Sequence, residues 1–292
     1  MTARIIDGKQ VAADIRAELK DEIAKLKTRG IVPGLGVILV GDDPASQSYV
    51  TGKERACEEI GIYSDDNRLP AQTSQADLIA LVQRMNGDPK IHGILVQLPL
   101  PRHLNESEVL LAVDPNKDVD GFHPVNVGKM VVGENAFLPC TPHGVVQLLV
   151  RNGVVLDGAH VVIVGRSNIV GKPLANMLIQ KSPTGNATVT VCHTRTKNLA
   201  SYTRQADILI AAAGRPNTIT ADMVRDGVAV IDVGVNRVED TTKKAGYRLV
   251  GDVDFDAVKE RASMITPVPG GVGPMTITML LYSTIESARR RA

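Results

Sequence analysis

The 292-residue chain has no tryptophan, and three phenylalanines and five tyrosines bring its aromatics to only 3%. A platform that stacks nucleic-acid bases on aromatic rings is therefore not expected. Charge of one sign is also missing. The 33 Lys and Arg residues stand against 32 Asp and Glu, a net charge of +1, which argues against nucleic acid or an anionic membrane as the main partner. No apolar run approaches the length needed to span a bilayer, and the start, MTARIIDG, lacks the apolar stretch of a signal peptide. Cysteine is scarce. Cys57, Cys140 and Cys192 lie far apart and form no C-x-x-C pair, so neither a disulfide framework nor a metal site is expected, and a reducing cytoplasm fits best. Cys140 reads as a small buried residue.

What is present is ordinary for a globular protein, with 43% hydrophobic and 22% charged residues. At about 150 residues per domain, the length suggests two domains. In the first, Ile15, Leu19, Ile23 and Leu26 recur at helical spacing and mark a surface helix with one apolar stripe, stopped by Gly30 and Pro33. Leu35–Val40 reads as a buried strand, and a helix follows over about 45–60. A further strand is expected near 62–69. A helix capped by Thr73-Ser74 carries Leu78, Leu81, Val82 and Met85, and a strand over 91–97 ends at Leu98-Pro99, because proline cannot donate to a ladder. In the middle, Thr141 reads as an N-cap with Pro142 at the first helical position of a helix to about Arg151. Strands are expected at 160–164, 188–192, 208–213 and 228–233 with helical segments between, a βαβ pattern that implies a doubly wound parallel sheet. A helix after Gly273 carries Met279, Leu280 and Ile285 on one face.

The most informative stretch is His160-Val161-Val162-Ile163-Val164 followed by Gly165-Arg166-Ser167-Asn168-Ile169-Val170-Gly171-Lys172-Pro173. A buried strand running through a glycine turn into a helix aims free N–H groups and the positive helix end at one point, where phosphate binds. The spacing is G-x-S-x-x-x-G rather than G-x-G-x-x-G.

Four other constellations carry possible chemistry, each with a plainer alternative. Ser46, Tyr49 and Lys53 share a helix face. A buried lysine with a lowered pKa would move protons there, and a solvated face is the alternative. Gln97 ends a strand of the kind whose carboxyl end binds ligands, and it can hydrogen-bond Lys53 or a substrate carbonyl. In Lys117-Asp118-Val119-Asp120-Gly121-Phe122-His123-Pro124, a carboxylate either accepts N–H bonds from a heterocycle or closes an Asx turn. The run Thr266-Pro267-Val268-Pro269-Gly270-Gly271-Val272-Gly273-Pro274-Met275-Thr276 either lets backbone approach a flat ligand or serves as a hinge.

Taken in order, the segments YVTGK, ILVQLPLP, KDVDGFHP, PCTPHG, VIVGRSNIVGKP, VIDVGVN, GDVDF and TPVPGGVGPMT resemble the bifunctional methylenetetrahydrofolate dehydrogenase/methenyltetrahydrofolate cyclohydrolase family. The resemblance covers about residues 6–285. It implies two α/β domains, the C-terminal one a Rossmann-like doubly wound parallel sheet, with a substrate cleft between them. Residues 1–140, completed by a C-terminal helix over 272–292, would form the folate-binding catalytic domain, and 141–271 the NADP-binding domain. It implies oxidation of 5,10-methylenetetrahydrofolate with NADP, then hydrolysis to 10-formyltetrahydrofolate, by a cytoplasmic homodimer.

By resemblance Lys53 is central to the hydrolytic step, Tyr49 stacks on the pterin, Gln97 tunes Lys53, and Asp120 holds the pterin amino and ring N–H groups. Pro99, Gly270 and Thr276 line the folate site. Thr141, Gly165, Arg166, Ser167 and Gly171 fall at cofactor positions, as do Thr194, Arg195 and Val235. No metal is implied. Two positions depart from the pattern: Gly52 stands where relatives carry a larger polar residue, which would loosen its helix, and Thr194 where many have Ser. NADP rather than NAD is expected because His193-Thr194-Arg195-Thr196-Lys197, after the second strand, holds no acid to bond an adenosine ribose and two cations to meet a 2′-phosphate. A non-catalytic dinucleotide-binding module and a shikimate-dehydrogenase-like oxidoreductase are the rival readings. Neither has a use for QLPLP and PGGVGPMT together with Lys53, Gln97 and Asp120.

Overall fold

Local sequence accounts for most of the elements seen in the computed structural model, which describes residues 2–243 and 246–291. The chain opens with a two-residue strand, β1 (Arg4–Ile5), and a long helix, α1 (Gly8–Thr28). β2 (Gly34–Val40), α2 (Pro44–Ile60), β3 (Tyr63–Leu69), α3 (Gln75–Gly87) and β4 (Gly93–Val96) then alternate. Two short helices, α4 (Glu106–Ala112) and α5 (Pro124–Val132), lead to α6 (Cys140–Arg151). Next come β5 (His160–Val164), α7 (Gly171–Leu178), β6 (Thr188–Cys192), α8 (Leu199–Thr203), β7 (Ile208–Ala211) and β8 (Ala229–Asp232). β9 (Asn236–Glu239), β10 (Tyr247–Val250), α9 (Phe255–Val258), β11 (Met264–Ile265) and α10 (Val272–Arg290) complete the order.

Two compact units result, Ala13–Cys140 with Ile277–Ala292, and Met1–Ala12 with Thr141–Thr276. In the first, β2 lies between β3 and β4 in a three-stranded parallel sheet. Every residue of β2 is buried, as a central strand covered on both faces requires. The stripe of α3, Leu78, Leu81, Val82 and Met85, packs with Ile38, Val40, Ile94 and Val96 into one core. Burying each such side chain stabilises by about 1.5–3 kcal/mol.

The second unit is a six-stranded sheet in the order β1-β11-β8-β7-β5-β6, with every recorded pair parallel. Its core includes Val162, Val164, Leu209, Ala211, Val230 and Ile265. The crossover between β7 and β8 holds only a 3-10 turn, Ala221–Met223, and α8 has five residues, so the helical segments there are shorter than the βαβ pattern suggests.

Three features differ from the sequence-based expectations. The first twelve residues belong with the C-terminal unit, because β1 pairs with β11, Arg4 opposite Met264 and Ile5 opposite Ile265; two-residue strands leave no periodicity to detect. β9 and β10 form an antiparallel hairpin outside the main sheet. Thr141 is not the N-cap of α6, which starts one residue earlier at Cys140 and holds Thr141 in its first turn. No helix among the described residues is long and apolar enough to cross a membrane.

Candidate active site

The site in the Ala13–Cys140 unit is built on α2. Asp43 caps this helix by accepting from the Ser46 N–H at 2.8 Å, Pro44 occupies its first turn, and Gly61 closes it in a left-handed conformation. The Ser46 hydroxyl also donates to Asp43, at 2.8 Å, so that side chain serves the cap. Lys53, two turns on, is only 7% exposed. Tyr49, one turn before it, is 42% exposed. Gly52 does not interrupt α2, and a Cβ there would make ordinary contact with Ile277 Cδ1 at 3.5 Å.

Lys53 Nζ donates to Gln97 Oε1 at 2.9 Å. Gln97 directly follows β4, and its backbone N–H extends the ladder to the Ile38 carbonyl. Its side-chain Nε2 donates to the Leu98 carbonyl at 2.8 Å, which leaves Oε1 for the lysine. The next residue, Pro99, is exposed and follows a cis peptide bond.

The structure separates the two carboxylates of KDVDGFHP. Asp118 accepts from the N–H groups of Phe122 at 3.2 Å and His123 at 2.8 Å and from Asn126 Nδ2 at 2.8 Å. Burial pushes its carboxyl up to about 6, opposed by those hydrogen bonds. His123 caps α5 through Nδ1. Lys117 is buried and donates to the Met85 and Asp88 carbonyls at the end of α3, where a cation suits the helix dipole. The turn reading thus holds for Asp118. Asp120 instead lies within electrostatic reach of Lys53, and the Cys140 thiol donates to the Val119 carbonyl oxygen at 3.5 Å.

Burial lowers the Lys53 pKa, opposed by the charges of Asp120, Cys140 and Cys57. Burial raises that of Asp120, opposed by the charge of Lys53. Each group is therefore drawn toward its neutral form, and a proton moves on or off Nζ at far lower cost than from a solvated lysine. Cys57, one turn beyond Lys53, is buried with its thiol pushed up to about 12, mainly by that burial, and is inert.

In the unit containing Thr141–Thr276, β5 runs through the 165–170 turn into α7. Gly165 has φ of 139°, and a Cβ there would collide with the Ala212 carbonyl oxygen; one at Gly171 would collide with the Gly165 carbonyl oxygen. The buried Gly171 therefore seats the helix against the turn rather than facing outward. Ser167 Oγ accepts from the Val170 N–H at 3.1 Å, and the first turn of α7 has no side-chain cap. Arg166 and Ser167 are exposed beside that open end. Thr194 and Arg195 are exposed in the loop after β6, next to β5 in the sheet, and that loop is shaped by the His193 N–H donating to Thr196 Oγ1 at 2.9 Å. Hydroxyls and guanidiniums beside a helix N-terminus at one end of a parallel sheet suit a dinucleotide phosphate. Val235, beyond β8, is 52% exposed, as a flat apolar contact requires. The Thr141 and Thr276 hydroxyls meet at 2.9 Å. Gly270 is half-buried and follows the cis Val268–Pro269 bond by one residue.

Sequence reasoning assigned no role to Asp232 and Asp252, both buried. Asp252 accepts from the N–H groups of Ala213 at 2.6 Å and Gly214 at 2.8 Å and from Asn236 Nδ2 at 2.9 Å. Asp232 accepts from the N–H groups of Gly234 and Asp252 at 2.9 Å and Val253 at 3.0 Å. These carboxylates tie down the loops after β7 and β8. The available signal was an acid at the end of an apolar strand, where a charge is costly unless it has partners.

Fold and site together define an α/β protein of the doubly wound, Rossmann type whose second α/β unit carries a buried lysine bonded to a glutamine and near an aspartate. Residues 139–292 match the model of the tetrahydrofolate dehydrogenase/cyclohydrolase NAD(P)-binding domain, and residues 6–120 that of the catalytic domain of the same family. "Bifunctional protein FolD" of Dehalococcoides mccartyi (strain CBDB1) is 60% identical over 292 residues, covering 99% of this chain and 98% of that protein. The crystal structure of the bifunctional enzyme FolD, methylenetetrahydrofolate dehydrogenase/cyclohydrolase, from Campylobacter jejuni is 51% identical with a TM-score of 0.94, covering 99% of this chain and 100% of that one. The Trypanosoma brucei N5,N10-methylenetetrahydrofolate dehydrogenase-cyclohydrolase, complexed with NADP cofactor and inhibitor, is 42% identical with a TM-score of 0.94, covering 100% and 99%. The chain belongs to the tetrahydrofolate dehydrogenase/cyclohydrolase family.

Proposed function

We propose that this chain oxidises 5,10-methylenetetrahydrofolate to 5,10-methenyltetrahydrofolate with NADP and then hydrolyses the product to 10-formyltetrahydrofolate. The observation that carries the reading is the buried Lys53, bonded to Gln97 and facing Asp120. A dinucleotide-binding module without catalysis has no use for an amine held in this way.

Bound oxidised nicotinamide supplies the hydride acceptor. The chain's own groups bind, orient and move protons. Asp120 accepts the amino and ring N–H groups of the pterin, Tyr49 stacks on its face, and Pro99 lines the folate site. Arg166, Ser167, Thr194 and Arg195 would hold phosphate, Gly165 and Gly171 shape the turn around it, and Val235 and Thr141 would complete the cofactor site. The methenyl product is a cation, so a neutral Lys53 tolerates it where an ammonium would repel it. Water then adds to the methenyl carbon and gives one proton to Nζ; transfer of the adduct's hydroxyl proton to N5 breaks the carbon–N5 bond and leaves the formyl group on N10. Gln97 keeps Nζ in place throughout by accepting its hydrogen bond.

Incubation with methylenetetrahydrofolate and NADP should make the methenyl absorbance appear and then decay. Absorbance that never appears would refute the oxidation, and absorbance that accumulates without decay would refute the hydrolysis. The family resemblance extends the reading to a cytoplasmic homodimer, which light scattering at twice the chain mass would support.

A further inference from the structure

The segment that carries Asp120 is anchored by groups that the chemistry above does not use. The Ile94 N–H donates to the Lys117 carbonyl at 2.7 Å, and Ile94 and Asp118 pair in parallel register. The segment therefore starts beside β4. Two residues on from that pair stand Val96, just before Gln97, and Asp120. Lys117 Nζ fastens the same point to the end of α3, donating to the Met85 and Asp88 carbonyls at 2.9 and 2.7 Å. Asp118, only 5% exposed, closes the loop. Its Oδ1 accepts from the Phe122 N–H at 3.2 Å, and its Oδ2 from the His123 N–H and from Asn126 Nδ2, both at 2.8 Å. Its own carbonyl accepts from the Gly121 N–H at 3.2 Å. Asp120 thus sits inside a loop whose two ends are joined through one side chain. A neutral amide can close a turn through a single oxygen without the cost of burying a charge. Here both oxygens accept, which only a carboxylate allows.

We infer that Asp118 is a positioning residue for Asp120, its two oxygens fixing the 118–123 loop so that the Asp120 carboxylate meets the N–H groups of the substrate in one orientation. The role given to Asp120 rests on the folate reading; the bonds that close the loop do not. On the far side of the loop, Gly121 has φ of 72°, and a Cβ on it would lie 2.6 Å from Leu138 C and 2.7 Å from Pro139 N. Backbone there packs on backbone, so a loop released at Asp118 cannot settle inward and must move Asp120 instead.

Asp118→Asn tests the inference, because it keeps the size and makes one acceptor a donor. Oδ1 serves Phe122 and Oδ2 serves His123 and Asn126, so either orientation of the amide sets donor against donor. Titration with methylenetetrahydrofolate in the absence of NADP should show Kd raised about tenfold, as misplacing one hydrogen bond to a charged group does, with Kd for NADP unchanged. The amide hydrogens of Phe122 and His123 should exchange faster than in the unaltered protein. The decisive reading is the double substitution. If Asp118 acts through Asp120, Asp118→Asn should weaken folate binding no further once Asp120→Ala is in place, whereas a merely structural role would cost the same in both backgrounds. Asn126→Ala takes one donor from Oδ2 and leaves both backbone bonds. It should raise Kd about threefold, again only where Asp120 is present, and it carries the test if Asp118→Asn does not fold. Equal folate affinity in the variants and the unaltered protein, or equal losses with and without Asp120, overturns the inference. Failure of the unaltered protein to bind the folate overturns the proposed function, and this assignment with it.

Discussion

Lys53 is buried with its amine bonded to Gln97, and Asp120 lies within electrostatic reach of that amine. Arg166, Ser167, Thr194 and Arg195, by contrast, stand exposed at the end of a sheet; in that unit the buried acids, Asp232 and Asp252, are spent on backbone N–H groups. One unit thus places titratable groups in low dielectric and leaves them dependent on each other. The other fixes its loops with buried carboxylates and presents solvated donors. The first arrangement suits proton movement, where a shifted pKa matters. The second suits grip on a phosphate, where backbone geometry matters more.

Substitutions in the two units should break down accordingly. The largest effect is expected for Lys53→Met, which should slow hydrolysis of methenyltetrahydrofolate by about 10²–10⁴-fold, the usual worth of a general acid/base, while circular dichroism stays unchanged. Because burial lowers the Lys53 pKa below the ordinary 10.5, hydrolysis by the unaltered enzyme should rise with pH as Nζ loses its proton, with a midpoint below that value. The variant should lack this ionisation, and near-normal hydrolysis by it would remove Lys53 from the chemistry. Next, Asp120→Ala should weaken folate binding by about 1.5–3 kcal/mol, the worth of a hydrogen bond to a charged group, and leave NADP binding untouched; titration with each ligand checks the split.

A smaller effect is expected in the exposed set. Arg166→Ala should lower kcat/KM with NADP about tenfold, as loss of one exposed phosphate contact would, and change it much less with NAD. Equal losses with both cofactors would show that Arg166 does not read the 2′-phosphate. The smallest effect should be a gain: Gly52→Ala in α2 should stabilise the protein by about 0.5–1 kcal/mol, since the added methyl meets only Ile277 at van der Waals distance. An unchanged or lower melting temperature would show that helix entropy is not limiting there.

Much of this was legible in the sequence because the signals are local. The runs 160–164 and 188–192 became strands with those bounds, and the stripes Ile15, Leu19, Ile23, Leu26 and Leu78, Leu81, Val82, Met85 are all buried. What escaped depends on distant pairing. Arg4 and Ile5 become a strand only because Met264 and Ile265 lie beside them. In the site, residue type marked two aspartates in KDVDGFHP as equals. The family resemblance chose Asp120, and the fold adds the physical reason: backbone N–H groups take up Asp118. The start of α6 at Cys140 was missed because Thr-Pro is a strong capping signature, and the chain begins its helix two residues before Pro142.

The linked carboxylates of Asp232 and Asp252 have a consequence for ligand affinity. Asp232 bonds the Asp252 N–H, and Asp252 in turn bonds those of Ala213 and Gly214, so the loops flanking Val235 are fixed by groups that no ligand supplies. Little conformational entropy is then left to lose when a ligand arrives, and a preformed site binds more tightly for the same contacts. Amide hydrogens of Gly214, Gly234 and Val253 should accordingly exchange slowly with solvent deuterium before any dinucleotide is added, and their protection should change little afterwards.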